Sequence, residues 1–155
     1  VLGLLAAVYT AFLLGQARGR DLWQSPLLPV RMLVTSTMTG AAAVLLANLL
    51  GDMGVQRATL VTLELAIGVH LLLVAFEFLT PHVTADTATA LALLARGPLR
   101  VPFWAALLLG NALPLALLLA SRNGLLVLPA CVLVLLFALV SEHVWVRAPQ
   151  LIPLS

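Results

Sequence analysis

Charge is scarce in this chain: 9% of its 155 residues are Asp, Glu, Lys or Arg, and all eight basic residues are arginine, with no lysine. A soluble domain carries roughly 25% charged residues because its surface must be hydrated. The shortage excludes a molecule wetted on all sides. Cysteine is almost missing too: Cys131 stands alone within the apolar run 125–140, which excludes an internal disulfide and any thiolate-held zinc or iron–sulfur site. A single thiol there reads as a small packing residue. No basic run or aromatic-interleaved stripe is present to meet phosphates, so the formal charge of +2 does not point to nucleic acid. There is no CxxC, no HExxH, no carboxylate cluster at i, i+3 or i+4 spacing, no GxSxG elbow and no phosphate-cradling glycine loop. Metal, nucleotide and soluble-type hydrolase chemistry therefore have nothing to stand on.

What is present is apolar. Hydrophobic residues make up 63% of the chain and the mean hydropathy is +1.14, so most of its solvent is lipid. The runs predict an all-α, polytopic transmembrane helix bundle of about five helices, over roughly 1–15, 29–50, 59–80, 102–121 and 125–146, forming a single transmembrane domain. The first run supplies 15 residues where a bilayer core needs about 20, which predicts a truncated first helix and a larger parent subunit. It is not a signal peptide, since no basic region precedes it and no small-residue cleavage site follows before Arg18.

Gly19 and Pro26 punctuate the first connection, and Trp23 is of the type that anchors at lipid headgroups. The second helix carries the cluster Thr35, Ser36, Thr37, Thr39, Gly40, Ala41, Ala42, Ala43, small side chains that let helix backbones approach inside a membrane. A short helix over 86–96 within the longest connection has Leu91, Leu93 and Leu94 to lay in the interface. Pro114 predicts a kink in the fourth long helix, just after Asn111. Alternating spans place Arg18, Arg20, Arg96, Arg100 and Arg147 on one face and Arg57 and Arg122 on the other, so the C-terminal tail is expected in the cytoplasm.

An ionisable group inside a span costs about 2.5 kcal/mol or more on insertion scales, so each one demands a partner or a polar cavity. The third long helix holds Glu64, His70 and Glu77. At 100° per residue His70 and Glu77 share a face two turns apart, a candidate proton path, while Glu64 points elsewhere. Glu142 and His143, near the end of the last helix, complete the proton-path candidates. The competing view is that these groups are hydrogen-bonded glue between helices. A haem held by two histidines is disfavoured, because His70 and His143 sit at different depths and His82 follows Pro81 in a loop. Tyr9, the only tyrosine, wants a hydrogen-bond partner, and a quinone carbonyl or a backbone carbonyl would serve.

The stretch Tyr-Thr-Ala-Phe-Leu-Leu-Gly-Gln-Ala-Arg-Gly-Arg-Asp-Leu-Trp-Gln-Ser-Pro-Leu-Leu-Pro, residues 9–29, closely resembles the helix and loop of the NrfD/PsrC family of polysulfide reductase type membrane subunits. Residues 142–155, Glu-His-Val-Trp-Val-Arg-Ala-Pro-Gln-Leu-Ile-Pro-Leu-Ser, are similar to the end of such a subunit, so the chain resembles its C-terminal portion. The resemblance implies a multi-pass protein of a prokaryotic inner (cytoplasmic) membrane, non-catalytic alone. It would bind quinone or quinol and exchange electrons with an iron–sulfur subunit partnered by a molybdopterin or cytochrome catalytic subunit, in anaerobic respiration. It would hold no haem, cluster or other redox metal of its own. Tyr9 lies within the first motif and is the quinone-binding candidate. A purely structural anchor and a proton- or ion-translocating bundle are the two alternatives.

Overall fold

A computed structural model describes residues 2–17, 21–51, 53–80, 84–121 and 123–152. Helix α1 spans Leu2–Gly15, α2 Leu28–Leu50, α3 Arg57–Leu79 and α4 Ala85–Ala95. Helices α5 (Arg100–Leu107) and α6 (Leu113–Ala120) join through a π-helical turn, Leu108–Ala112, into one span, and α7 covers Gly124–Arg147. Short 3₁₀ turns at Asp21–Gln24 and Ala148–Leu151 complete the described elements. Among the described residues four helices are long and apolar enough to cross a membrane, starting at Leu28, Arg57, Arg100 and Gly124. The all-α polytopic bundle expected from composition is what the chain forms.

These segments are helical because lipid cannot satisfy backbone N–H and C=O groups, so each must pair within its own segment. Where a segment leaves the lipid, polar caps appear: the Asn123 side chain accepts from the Leu126 amide at 3.2 Å at the start of α7, and Thr84 accepts from the Thr87 amide at 3.3 Å at the start of α4. The outer surface carries Leu72, Leu79, Leu125 and Leu139, all exposed, as a lipid-facing surface does.

Helix α2 is the hub, packed on α1, α3 and α7. Its small-residue cluster is split between two surroundings. Thr35, Ala41 and Ala42 are buried with Met38 and Leu45, whereas Ser36, Thr37, Gly40 and Ala43 face outward. One core cluster runs through α2, α3, α6 and α7, around Leu45, Leu63, Ile67, Leu118 and Val134. A second lies at the end of the bundle where the 21–24 turn, α4 and the 148–151 turn meet, around Leu22, Leu94, Phe103 and Trp145. Helix α4 turns Ala90, Leu91 and Leu94 inward onto that cluster, so its apolar stripe faces protein.

The irregularity foreseen at Pro114 takes the form of the π turn directly before it. A proline inside a helix has no N–H to donate and its ring crowds the carbonyl four residues back. The widened turn accommodates both defects. At Gly110, within that turn, a Cβ would overlap the Cβ of Phe137, so α7 approaches the span at a distance only glycine permits.

Candidate functional site

Two polar constellations lie inside the bundle. The first is at mid-depth, where the buried His70 of α3, 3% exposed, meets the buried Asn111 of the π turn. His70 Nδ1 and Asn111 Oδ1 are 2.9 Å apart, and Asn111 Nδ2 donates to the Ala106 carbonyl at 3.0 Å. Because the amide nitrogen is committed to a carbonyl, the amide oxygen faces the ring and accepts from His70 Nδ1–H, which assigns the tautomer. The π turn places Asn111 here, within reach of the Ala106 carbonyl to which it donates.

The second constellation surrounds Arg31, in the first turn of α2 and only 6% exposed. Its guanidinium lies over the Trp145 ring of α7, 3.8 Å from the centroid, a cation–π contact that shields the charge from lipid. Glu142 of α7 and Glu77 of α3 are its electrostatic counter-charges. Glu77 Oε1 accepts from the Ser25 hydroxyl at 3.2 Å, which ties the end of α3 to the connection before α2. A void of about 10 Å³ is bounded by Trp23, Ser25, Arg31, Glu77 and Trp145, and the buried Trp23 Nε1 has no hydrogen-bond partner among the described residues.

Two cavities flank this cluster. An outer one of about 400 Å³ lies between the 21–24 turn, the end of α3 and the start of α4, with Asp21, Gln24, Ser25, Glu77, Thr80 and Thr87 in its walls. The other, about 500 Å³, lies between α1, α2 and α7, with Thr10, Met32, Thr35, Thr39, Leu139 and Glu142 in its walls. Its hydroxyls are not equivalent. Thr10 Oγ1 donates to the Ala6 carbonyl at 2.9 Å and Thr39 Oγ1 to the Thr35 carbonyl at 2.9 Å, each a bond within its own helix. Thr35 Oγ1, on a residue 8% exposed, is buried with no hydrogen-bond partner among the described residues.

The residues singled out in the sequence are thus distributed. Glu77 lines the outer cavity and borders the small void beside Arg31, and Glu142 lines the α1–α2–α7 cavity. His70, about 10 Å from Glu77 along the axis at ~1.5 Å per residue, pairs with Asn111 instead. Glu64 is half-buried on α3 and lines neither cavity. His143 is exposed near the end of α7. Tyr9 is 64% exposed on the outside of α1, and its neighbour Thr10, not Tyr9, lines the α1–α2–α7 cavity. His82, Arg18, Arg20 and Arg122, like the last residues of the 142–155 motif, lie outside the described residues. Sequence inspection left out Arg31, which belongs to neither set of loop arginines; its signal was a lone arginine directly preceding a charge-free apolar run.

A polytopic membrane helix bundle with a buried arginine and a buried histidine–asparagine pair among its spans is the class of protein that this architecture defines. The family model for "Polysulphide reductase, NrfD" matches residues 1–153, and the chain belongs to that family of oxidoreductase membrane subunits. No curated protein and no solved structure matches it.

Proposed function

We propose that this chain is the quinol-interacting membrane subunit of a respiratory oxidoreductase, and that the cavity between α1, α2 and α7 receives the quinone ring. Family membership supports the quinone-linked class. The observation that carries the site is Thr35, which lines the cavity and whose buried hydroxyl has no hydrogen-bond partner among the described residues, so that a turn of its side chain presents it to the ligand. A buried hydroxyl without a partner forfeits about 1–3 kcal/mol, and a ring oxygen would recover it. The rest of the lining suits the same ligand. Met32, Leu135, Ala138 and Leu139 offer apolar walls for a planar ring, and Glu142 offers a carboxylate that can take a proton. A volume of about 500 Å³ falls among small-molecule sites.

Bound there, a quinol supplies two electrons, for which the iron–sulfur partner is the acceptor and the molybdopterin or cytochrome subunit the further destination. This chain orients the ring through Thr35, excludes water with its aliphatic walls and receives the ring's two hydroxyl protons, one after the other, at Glu142. Tyr9 stands one residue from Thr10 on the lipid side, at the approach that a membrane-dissolved ligand would use.

The test is decylubiquinol affinity of the full complex in liposomes, with assembly checked by co-purification of the partner subunit. Thr35→Val is expected to weaken binding about tenfold, the equivalent of ~1.4 kcal/mol, with assembly intact. Tyr9→Phe is expected to lower turnover by less. Unchanged affinity in Thr35→Val would remove the ring from this cavity and leave the structural-anchor reading in its place.

A further inference from the structure

The corner where α4 passes into α5 carries two arginines on a tightly held turn. The amides of Arg96 and Gly97 both donate to the Ala92 carbonyl, at 2.9 and 3.0 Å, and the Arg100 amide donates to the Gly97 carbonyl at 3.2 Å. Leu99 packs into the cluster at the end of the bundle. A Cβ at Gly97 would stand 2.7 Å from the Leu93 Cα, so the chain closes here at a distance only glycine permits. Trp104 is fixed to the same corner, its Nε1–H donating to the Ala95 carbonyl at 3.2 Å and its ring set edge-on to Phe103. Arg96 and Arg100 project from this frame exposed, and among the described residues neither guanidinium has a hydrogen-bond or ion-pair partner.

Beyond the arginines the surface becomes apolar. Arg100 is the first residue of its span, and at about 100° per residue Arg100, Val101, Trp104 and Leu108 fall within an arc of about 100°. Val101, Trp104 and Leu108 are 70%, 45% and 53% exposed, while Phe103 and Ala106 turn inward. At ~1.5 Å per residue Trp104 lies about 6 Å and Leu108 about 12 Å deeper than Arg100. A cationic rim, an indole and an aliphatic strip in that order follow the depth profile of a phospholipid, from phosphate to acyl chain. Charge selects the kind of lipid. Residues 95–108 contain two arginines and no carboxylate, so an anionic headgroup complements them fully and a zwitterionic one only in part. Arg57 also opens a span and is exposed, but residues 55–65 around it hold no second arginine and no aromatic ring, and they include Glu64.

We propose that this corner binds an anionic phospholipid with two phosphates, a diphosphatidylglycerol, its phosphates on Arg96 and Arg100 and one acyl chain along Val101, Trp104 and Leu108. A guanidinium offers paired N–H donors that match phosphate oxygens. The turn is already closed by its own hydrogen bonds, so the lipid meets an ordered backbone and binding costs little further ordering. Arg96 follows the end of α4 and Arg100 begins α5, so one headgroup bridges the two helices and steadies α4 on the end cluster. The site stands apart from the quinone reading, since no residue of α5 lines either large cavity.

Native mass spectrometry of the full, delipidated complex in detergent, titrated with diphosphatidylglycerol, counts the bound lipids and gives their affinities. One arginine at an anionic lipid surface is worth about fivefold in affinity. The double variant Arg96→Gln/Arg100→Gln is therefore expected to weaken one bound lipid about 25-fold, and Arg100→Gln alone about fivefold. Arg57→Gln is expected to bind as wild type, and neither phosphatidylcholine nor excess inorganic phosphate is expected to displace the lipid. If the double variant does not assemble, Arg100→Gln decides by the same readout. Wild-type affinity in the deciding variant, or equal weakening in Arg57→Gln, overturns the site. Displacement by phosphatidylcholine overturns it as well, and displacement by inorganic phosphate would make a free anion the ligand. Arginine variants that shed the partner subunit while keeping the lipid would assign the corner to a protein instead. Unchanged quinol affinity in Thr35→Val leaves each of these outcomes untouched.

Discussion

Each ionisable side chain in the spans has a different solution to the same problem. An arginine at the centre of a span costs roughly 2.5–3.5 kcal/mol on insertion scales. Arg31 reduces that cost with position near a helix end, a Trp145 ring against its face and the Glu77 carboxylate at the rim of the same small void. His70 is held by one amide, whose other end donates to the Ala106 carbonyl. That pair predicts a measurable stability term. Asn111→Ala strips the acceptor from His70 Nδ1–H and is expected to lower the unfolding free energy by about 1 kcal/mol, the scale of interhelical hydrogen bonds in membranes. Unfolding in mixed micelles with increasing SDS measures it, and a variant as stable as wild type would show that the pair contributes nothing. The positions of Glu77, Glu142 and His70 were legible as charges in apolar runs, because burying such groups is costly whatever the fold. Thr35 and Trp23 were not legible as site residues. Their value rests on having no partner among the described residues, and that depends on neighbours from other helices.

At the scale of elements, the span from Arg100 to Ala120 shows how one residue's chemistry spreads along a helix. Pro114 predicted a disturbance, and the π turn at Leu108–Ala112 is its form. The turn shifts the helix face, so Asn111 points at α3 and Gly110 meets α7 at Phe137. Gly110→Ala is therefore expected to cost about 1–3 kcal/mol by overpacking, read as reduced thermal stability of the purified subunit in detergent. Wild-type stability would mean that α7 can move away freely. The sequence announced the break but not the contact, since the partner is 27 positions away and no local pattern names it. Helix α4 was legible as a short helix with leucines for an interface. Its leucines settle on Phe103 and Trp145 of neighbouring helices, which only the assembled end of the bundle could place there.

At the scale of the molecule, the 21–24 turn, α4 and the 148–151 turn converge at one end, as alternating spans require of the connections between them. Arg96, Arg100 and Arg147 are exposed there, in keeping with the arginine bias from which this end is expected to face the cytoplasm. A fluorescent protein fused after Ser155 is expected to fluoresce in cells, and alkaline phosphatase inserted at Gly54 to be active. The reverse pair of results would invert the orientation and, with it, the side to which the Glu77 cavity opens.

Composition and run length alone determined that the chain lives in lipid, that it is helical and where its spans lie, because an unpaired backbone in hydrocarbon is too costly for any other solution. They left open which faces turn inward. A helix apolar on all sides has no polar face to direct it, so the rotations of α2, α3 and α7 were settled by small-residue contacts and by the few charges that needed partners. Those rotations set Arg31 against Trp145 and beside Glu77 and placed Thr35 in the wall of a cavity. The site exists only because three helices were packed at once.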